Sequence, residues 1–207
     1  MRGLRRGGLA GQVLPLVAIM ISALVAMGSL AIDLSGAFGA ATRQRQVAES
    51  AKNAVLADQL TLGFSDAAQP QDPWKDDVVR ALSAEGYTGD YEIWVYEYGE
   101  SRTGAADRVV GMTVRLSETY RTDLGAILGK PTFPVASSTS WWSNPSSEGK
   151  VWRPSGAASD TGRLYAGTME GGTVKTSSSK AVDYASLPNG TKAALAEAMS
   201  NRAGAGS

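Results

Sequence analysis

Between Arg6 and Asp33 lie 26 residues without one charged side chain, preceded by Arg2, Arg5 and Arg6 and followed by about 175 residues that are far more polar. An α-helix needs roughly 20 consecutive apolar residues to cross the ~30 Å hydrocarbon layer of a bilayer. Val13 to Ile32 supplies them, with nothing more polar than Ser22 and Ser29. The reading is a basic cytoplasmic segment over 1–12 and a transmembrane helix over 13–33. Positive flanks stay inside, so Arg2, Arg5 and Arg6 set an inward N-terminus and an extracytoplasmic remainder. A cleaved secretory signal shows the same order of basic and apolar residues. Its apolar core, however, runs about 7–15 residues to a small-x-small site, and here only Ala37-Phe38-Gly39 offers a poor one.

Composition narrows the chemistry. With no His and no Cys, imidazole triads, thiol nucleophiles, disulfide staples and zinc sites are excluded. Lys plus Arg and Asp plus Glu are 20 each, so no basic field for nucleic acid exists beyond the N-terminal arginines. No P-loop, dinucleotide fingerprint or nucleophile elbow is present, and the chain is read as a non-enzyme without cofactor, metal or small-molecule substrate.

Past the apolar run, 34–62 contains no Pro and, after Gly39, no Gly. Small and apolar residues recur there near a 3.6 period at Ala40, Val47, Ala48, Ala51, Ala54 and Val55. The spacing predicts one helix continuing from the membrane as an extracytoplasmic stalk. Its Ala-rich stripe suits close approach by another helix, or packing on the chain's own domain.

A small α+β domain is expected over 72–143. Asp72 and Pro73 open a helix over Trp74–Glu85, with Asp72 as cap. Tyr91–Tyr98 and Arg108–Tyr120 alternate as strands and should pair as a hairpin around the polar loop 99–107. Leu124, Ile127 and Leu128 fit a short helix, and Phe133–Trp142 a third strand of a small antiparallel sheet. Trp94, Tyr96 and Tyr98 form the candidate ligand or partner surface. From Asn144 to Ser207, Ser, Gly, Ala and Thr dominate, and the segment reads as a mostly disordered tail. A helix over Thr191–Arg202 and a strand or cap at Arg163–Thr168 are the exceptions left open. Asp33-Leu34-Ser35 begins like an Asp-x-Ser-x-Ser magnesium loop, but Ala37 replaces the next hydroxyl. Asp33 instead marks the outer end of the span.

Three pieces in order carry a family resemblance. They are Arg6-Gly7-Gly8-Leu9-Ala10-Gly11-Gln12-Val13-Leu14-Pro15-Leu16, then Gly28-Ser29-Leu30-Ala31-Ile32-Asp33-Leu34, then Arg45 to Ala57. Together they resemble the TadE/TadG-like proteins of tight-adherence (Flp) pilus systems, over about 60 residues. Where that family usually has Gln-x-Ala-Asp-Ala-Ala-Ala-Leu-Ala, this chain has Glu49 and Lys52, which adds charge to the rod. The resemblance implies a single-pass protein of a bacterial cytoplasmic membrane, a structural or assembly subunit whose partners are pilin-like helices. It also raises prepilin processing, since a cut after Gly7 would put Gln12 where such substrates carry Glu; an unprocessed anchor is the favoured form. The alternative function is a membrane-tethered module that binds a cell-envelope ligand.

Overall fold

The computed structural model describes residues 10–62, 71–98, 109–122, 125–126, 129, 131–143 and 161–205, without the side chains at 10–12, 58–62, 71, 98, 161 and 202–205. The elements are α1 (Ala10–Leu62), α2 (Gln71–Ala84), β1 (Gly89–Tyr98), β2 (Val109–Arg121) and β3 (Thr132–Ser143), followed by β4 (Thr161–Glu170), β5 (Thr173–Val182) and α3 (Asn189–Ala205). The fold is α+β. The five strands form one antiparallel sheet in the order β3-β2-β1-β4-β5.

The unbroken helix, the hairpin of β1 with β2 and the third strand agree with the periodicities read from the sequence. Leu124, Ile127, Leu128 and the loop 99–107 lie outside the described residues. Gly125 and Ala126 are helical. Asp72 falls in the first turn of α2 and not at its cap, because the helix begins at Gln71. Its carboxylate oxygen Oδ1 accepts the Tyr165 hydroxyl at 2.6 Å.

The tail reading is corrected over 161–205, which folds into β4, β5 and α3; the sequence leaves open only a strand or cap at 163–168 and a helix at 191–202. Two physical features hid this order. Glycines that look like disorder are seats for aromatic rings: a Cβ at Gly162 would strike the Tyr96 ring, and one at Gly167 would strike the Tyr91 hydroxyl. Tyr96 pairs with Gly162 and Tyr91 with Gly167 across β1 and β4, the known remedy for glycine in a strand. Second, β5 is an edge strand exposed on both faces, so it shows no alternation of burial. The turn joining it to β4 does carry a signal. Gly171 and Gly172 both take positive φ (55° and 77°), as a two-residue hairpin requires.

The chain divides into two compact units, Met1–Ala40 with Thr119–Pro134, and Ala41–Glu118 with Val135–Ser207. In the larger unit one sheet face presents Tyr91, Ile93, Val95, Val110, Met112, Val114 and Leu116. These residues join Trp74, Val78 and Leu82 of α2 and Val47, Ala48, Ala51 and Val55 of α1 in one core. Each large side chain buried there contributes about 1.5–3 kcal/mol. Polar contacts fix α1 further: Gln44 Nε2 donates to the Val135 carbonyl at 3.2 Å, and the Thr139 hydroxyl donates to Glu49 at 3.0 Å.

The opposite sheet face is partly covered by α3 and the residues before it, where Leu187, and Leu195 and Ala198 of α3, pack on Tyr96 and Val109. Gly111 and Gly190 allow this approach, since a Cβ at either would strike Leu195 or Ser140. Thr113 joins the two layers by hydroxyl contacts to Thr191 (2.6 Å) and Ser140 (2.7 Å). Thr113, on the face opposite Met112 and Val114, is buried because α3 lies over it.

Ala48 and Ala51 have no exposed surface, so enlarging either overfills the core. Ala48→Leu or Ala51→Leu should lower folding stability by about 1–3 kcal/mol. Urea unfolding of the full chain in detergent, followed by circular dichroism, reads the change; an unaltered midpoint would contradict this packing.

Candidate functional site

The most unusual surface belongs to the first part of α1. From Val13 to Ile32 every side chain but the half-buried Ser29 is exposed. They include Leu14, Ile19, Leu24, Val25 and Met27. A core helix of a soluble protein would be covered, and none of the most apolar window of this helix is covered by the chain. By length and composition the helix can cross a membrane. Its two hydroxyls are satisfied internally, Ser22 donating to the Ala18 carbonyl (2.8 Å) and Ser29 to the Val25 carbonyl (3.0 Å). These back-bonds to i−4 leave the segment with no unmet side-chain donor.

Where the apolar run ends, the smaller unit folds against the helix. Asp33 is only 5% exposed, and its Oδ2 accepts the backbone N–H of Gly125 at 3.3 Å. One turn on, a Cβ at Gly36 would fall on the Tyr120 hydroxyl. Glycine there leaves room for the end of the Tyr120 side chain. The Thr122 N–H donates to the Pro131 carbonyl at 2.9 Å and closes the same segment. Asp33 was read as a charge at the outer rim of the span; instead it is an internal ligand for backbone. A carboxylate 92 residues away in sequence from its partner gives no local signal of that role.

The residues picked out by sequence separate into three groups. Arg2, Arg5, Arg6 and Gly7 lie outside the described residues, as does the side chain of Gln12. Of the stalk stripe, Val47, Ala48, Ala51 and Val55 are buried in the chain's own core, while Ala40 and Ala54 are half-buried. The stripe is thus used internally, the second of its two readings. Of the aromatic surface, Tyr96 is 5% exposed under α3 and edge-on to Tyr184 at 5.7 Å between ring centroids. Trp94 is half-buried against the same cluster, and the Tyr98 side chain lies outside the described ones. The described aromatics of β1 are core, because the sheet has helices on both faces.

Two polar depressions open on the larger unit. One, about 470 Å³, lies on the sheet face beyond α3 and is lined by Asp90, Glu92, Arg115, Ser117, Thr168 and Thr176. Glu92 and Arg115 pair across it at 3.7 Å. The other, about 400 Å³, lies between α2 and the β5 edge, lined by Asp72, Lys75, Asp76, Tyr91, Tyr165 and Ser179. Burial raises the pKa of Tyr165 above the usual tyrosine range; the hydrogen bond to Asp72 and the Asp72 charge add to this, with Arg163 opposing. Burial likewise raises Tyr91, with Lys75 opposing, and raises Tyr87, with Glu118 adding. The pair of Asp72 and Tyr165, 93 residues apart, was invisible to spacing rules. Among the described residues no cluster of three or more acidic side chains could hold a metal ion.

These raised values predict an alkaline limit to stability. Unfolded tyrosine titrates near 10, whereas Tyr87, Tyr91 and Tyr165 keep their protons longer when folded. The stabilisation is complete below pH 10 and is lost as pH climbs through the folded values. The urea midpoint should hold from pH 8 to 9.5 and fall from pH 10 upward, with a shallower fall in Tyr165→Phe. Equal falls in the two proteins would remove Tyr165 from this account.

No family model, curated protein or solved structure matches the chain.

Proposed function

We propose that this chain is a single-pass membrane protein, N-terminus inside, that serves as a structural or assembly subunit of a Tad/Flp-type pilus or related secretion machinery. The observation that carries the reading is the contrast along α1. Val13 to Ile32 is apolar and bare, while Val47 to Val55 is built into the core of the folded domain. The same helix thus supplies both a lipid-compatible segment and residues of the larger unit's core. The resemblance of the first 60 residues to TadE/TadG-like proteins supplies the machinery. In this reading α1 inserts among pilin-like helices within the bacterial cytoplasmic membrane, and the bare apolar surface is the part available to them.

The alternative is a tethered module for a cell-envelope ligand. The polar depression lined by Asp90, Glu92 and Arg115 favours it, being open and rich in hydrogen-bonding groups.

Topology comes first. A reporter active only outside the cytoplasm, fused after Ser207, should be active, and a cytoplasm-only reporter at the same junction silent; the reverse pattern refutes the anchor. The second measurement separates subunit from tether. In a strain lacking the chain, the native protein should restore surface pili, and a variant with 13–32 replaced by an unrelated leucine-rich span of equal length should not. A mere tether would be restored by both.

A further inference from the structure

The anchor reading places the outer limit of the membrane at Asp33, where the charge-free run stops. Three observations in the smaller unit argue for a different limit. Apolar exposure does not stop at Ile32: Leu34 is 54% exposed and Phe38 68%. These residues are i and i+4, so they stack on one helix face, and Met27 at i−7 continues the same stripe. From β3 comes Phe133, 46% exposed, between the exposed Pro131 and Pro134. Lastly, Asp33 does not present its charge outward. It lies on the covered side of α1, with its carboxylate on the Gly125 N–H.

We propose that the lipid headgroup layer extends to Phe38, so that Leu34, Phe38 and Phe133 are immersed in it and Asp33 lies below its outer edge. The proposal rests on the anchor reading and deepens it by naming the partner of this rim as a lipid surface. Helical rise supports the placement. Val13 to Ile32 spans about 30 Å, the hydrocarbon thickness alone, and Val13 to Phe38 about 39 Å, which adds most of one polar layer. Aromatic side chains favour that layer. A carboxylate at such depth needs an internal partner, and Gly125 is one. Arg45, seven residues beyond Phe38 on the same helix and exposed, then stands on the aqueous side of that layer. A second copy of the chain could cover the same rim, but continuity with the bare span favours lipid.

The absence of cysteine makes the test direct. Single nitroxide labels are placed at Ala23→Cys, Phe38→Cys, Phe133→Cys and Arg45→Cys in the full chain, reconstituted in phosphatidylcholine/phosphatidylglycerol vesicles. Relative accessibility to oxygen and to a water-soluble nickel complex then reports depth. Ala23 should read deep in hydrocarbon, Phe38 and Phe133 at headgroup depth, and Arg45 aqueous. Aqueous values at Phe38 and Phe133 with a deep Ala23 would overturn this proposal and leave the anchor standing. An aqueous Ala23 would overturn both. Spin coupling at Phe133 that survives dilution with unlabelled lipid, but not with unlabelled protein, would show a second copy in place of lipid and also refute it. Should the phenylalanine variants fail to fold, Ser35→Cys and Thr132→Cys, both exposed neighbours, give the same readings.

Discussion

The burial of Val47, Ala48, Ala51 and Val55 between α2 and the sheet is the interaction on which the larger unit rests. These residues share a core with Trp74, Val78, Leu82, Ile93 and Met112, so the sheet would lose part of one face without α1. Alanine at two of the four positions lets the helix backbone come close. The contact therefore relies on fit more than on apolar area, and fit is intolerant of added volume. The helix consequently has two environments along one hydrogen-bonded rod, a bare apolar one and an enclosed one. That division, more than any pocket, is what the proposed function draws on.

Much of this was legible in the residues. The continuation of α1 beyond the apolar run follows from 40–62, which holds neither Pro nor Gly, and β1 and β2 follow from clean alternation. The Ala stripe was seen, but spacing alone cannot say which surface fills it. The second layer was hidden. Thr113, Trp94 and Tyr96 look like an outward row until α3 is placed over them, and α3 is an Ala-rich helix whose Leu195 packs on Gly111 and whose own Gly190 lets it approach Ser140. Likewise β4 carries its order in contacts with β1, whose tyrosines fill the space over Gly162 and Gly167. Nonlocal complementarity of that kind leaves no period in the sequence. The Gly171-Gly172 turn was the one local signal that could have revealed the β4–β5 hairpin.

Asp33 shows how a correct pattern can carry a wrong cause. The charge does end the apolar run, as the count of uncharged residues indicates. Its chemical work is to hold the backbone at Gly125, one turn of helix from the place where Gly36 admits the Tyr120 hydroxyl. Both contacts tie the 119–134 segment to α1. Such a carboxylate is specified by a partner distant in sequence, so composition shows only that it is there.

The wet edge of the sheet has its own consequence. β5 ends the strand order and is exposed from Thr173 to Ala181, offering a row of backbone donors and acceptors to any strand alongside. Pairing of two such edges is a general route to aggregation. Lys175 and Lys180 stand on that edge among hydroxyl side chains, and two edges brought together would have to bury like charges. The polarity that made 173–182 resemble unstructured sequence is thus also what disfavours strand pairing at this edge.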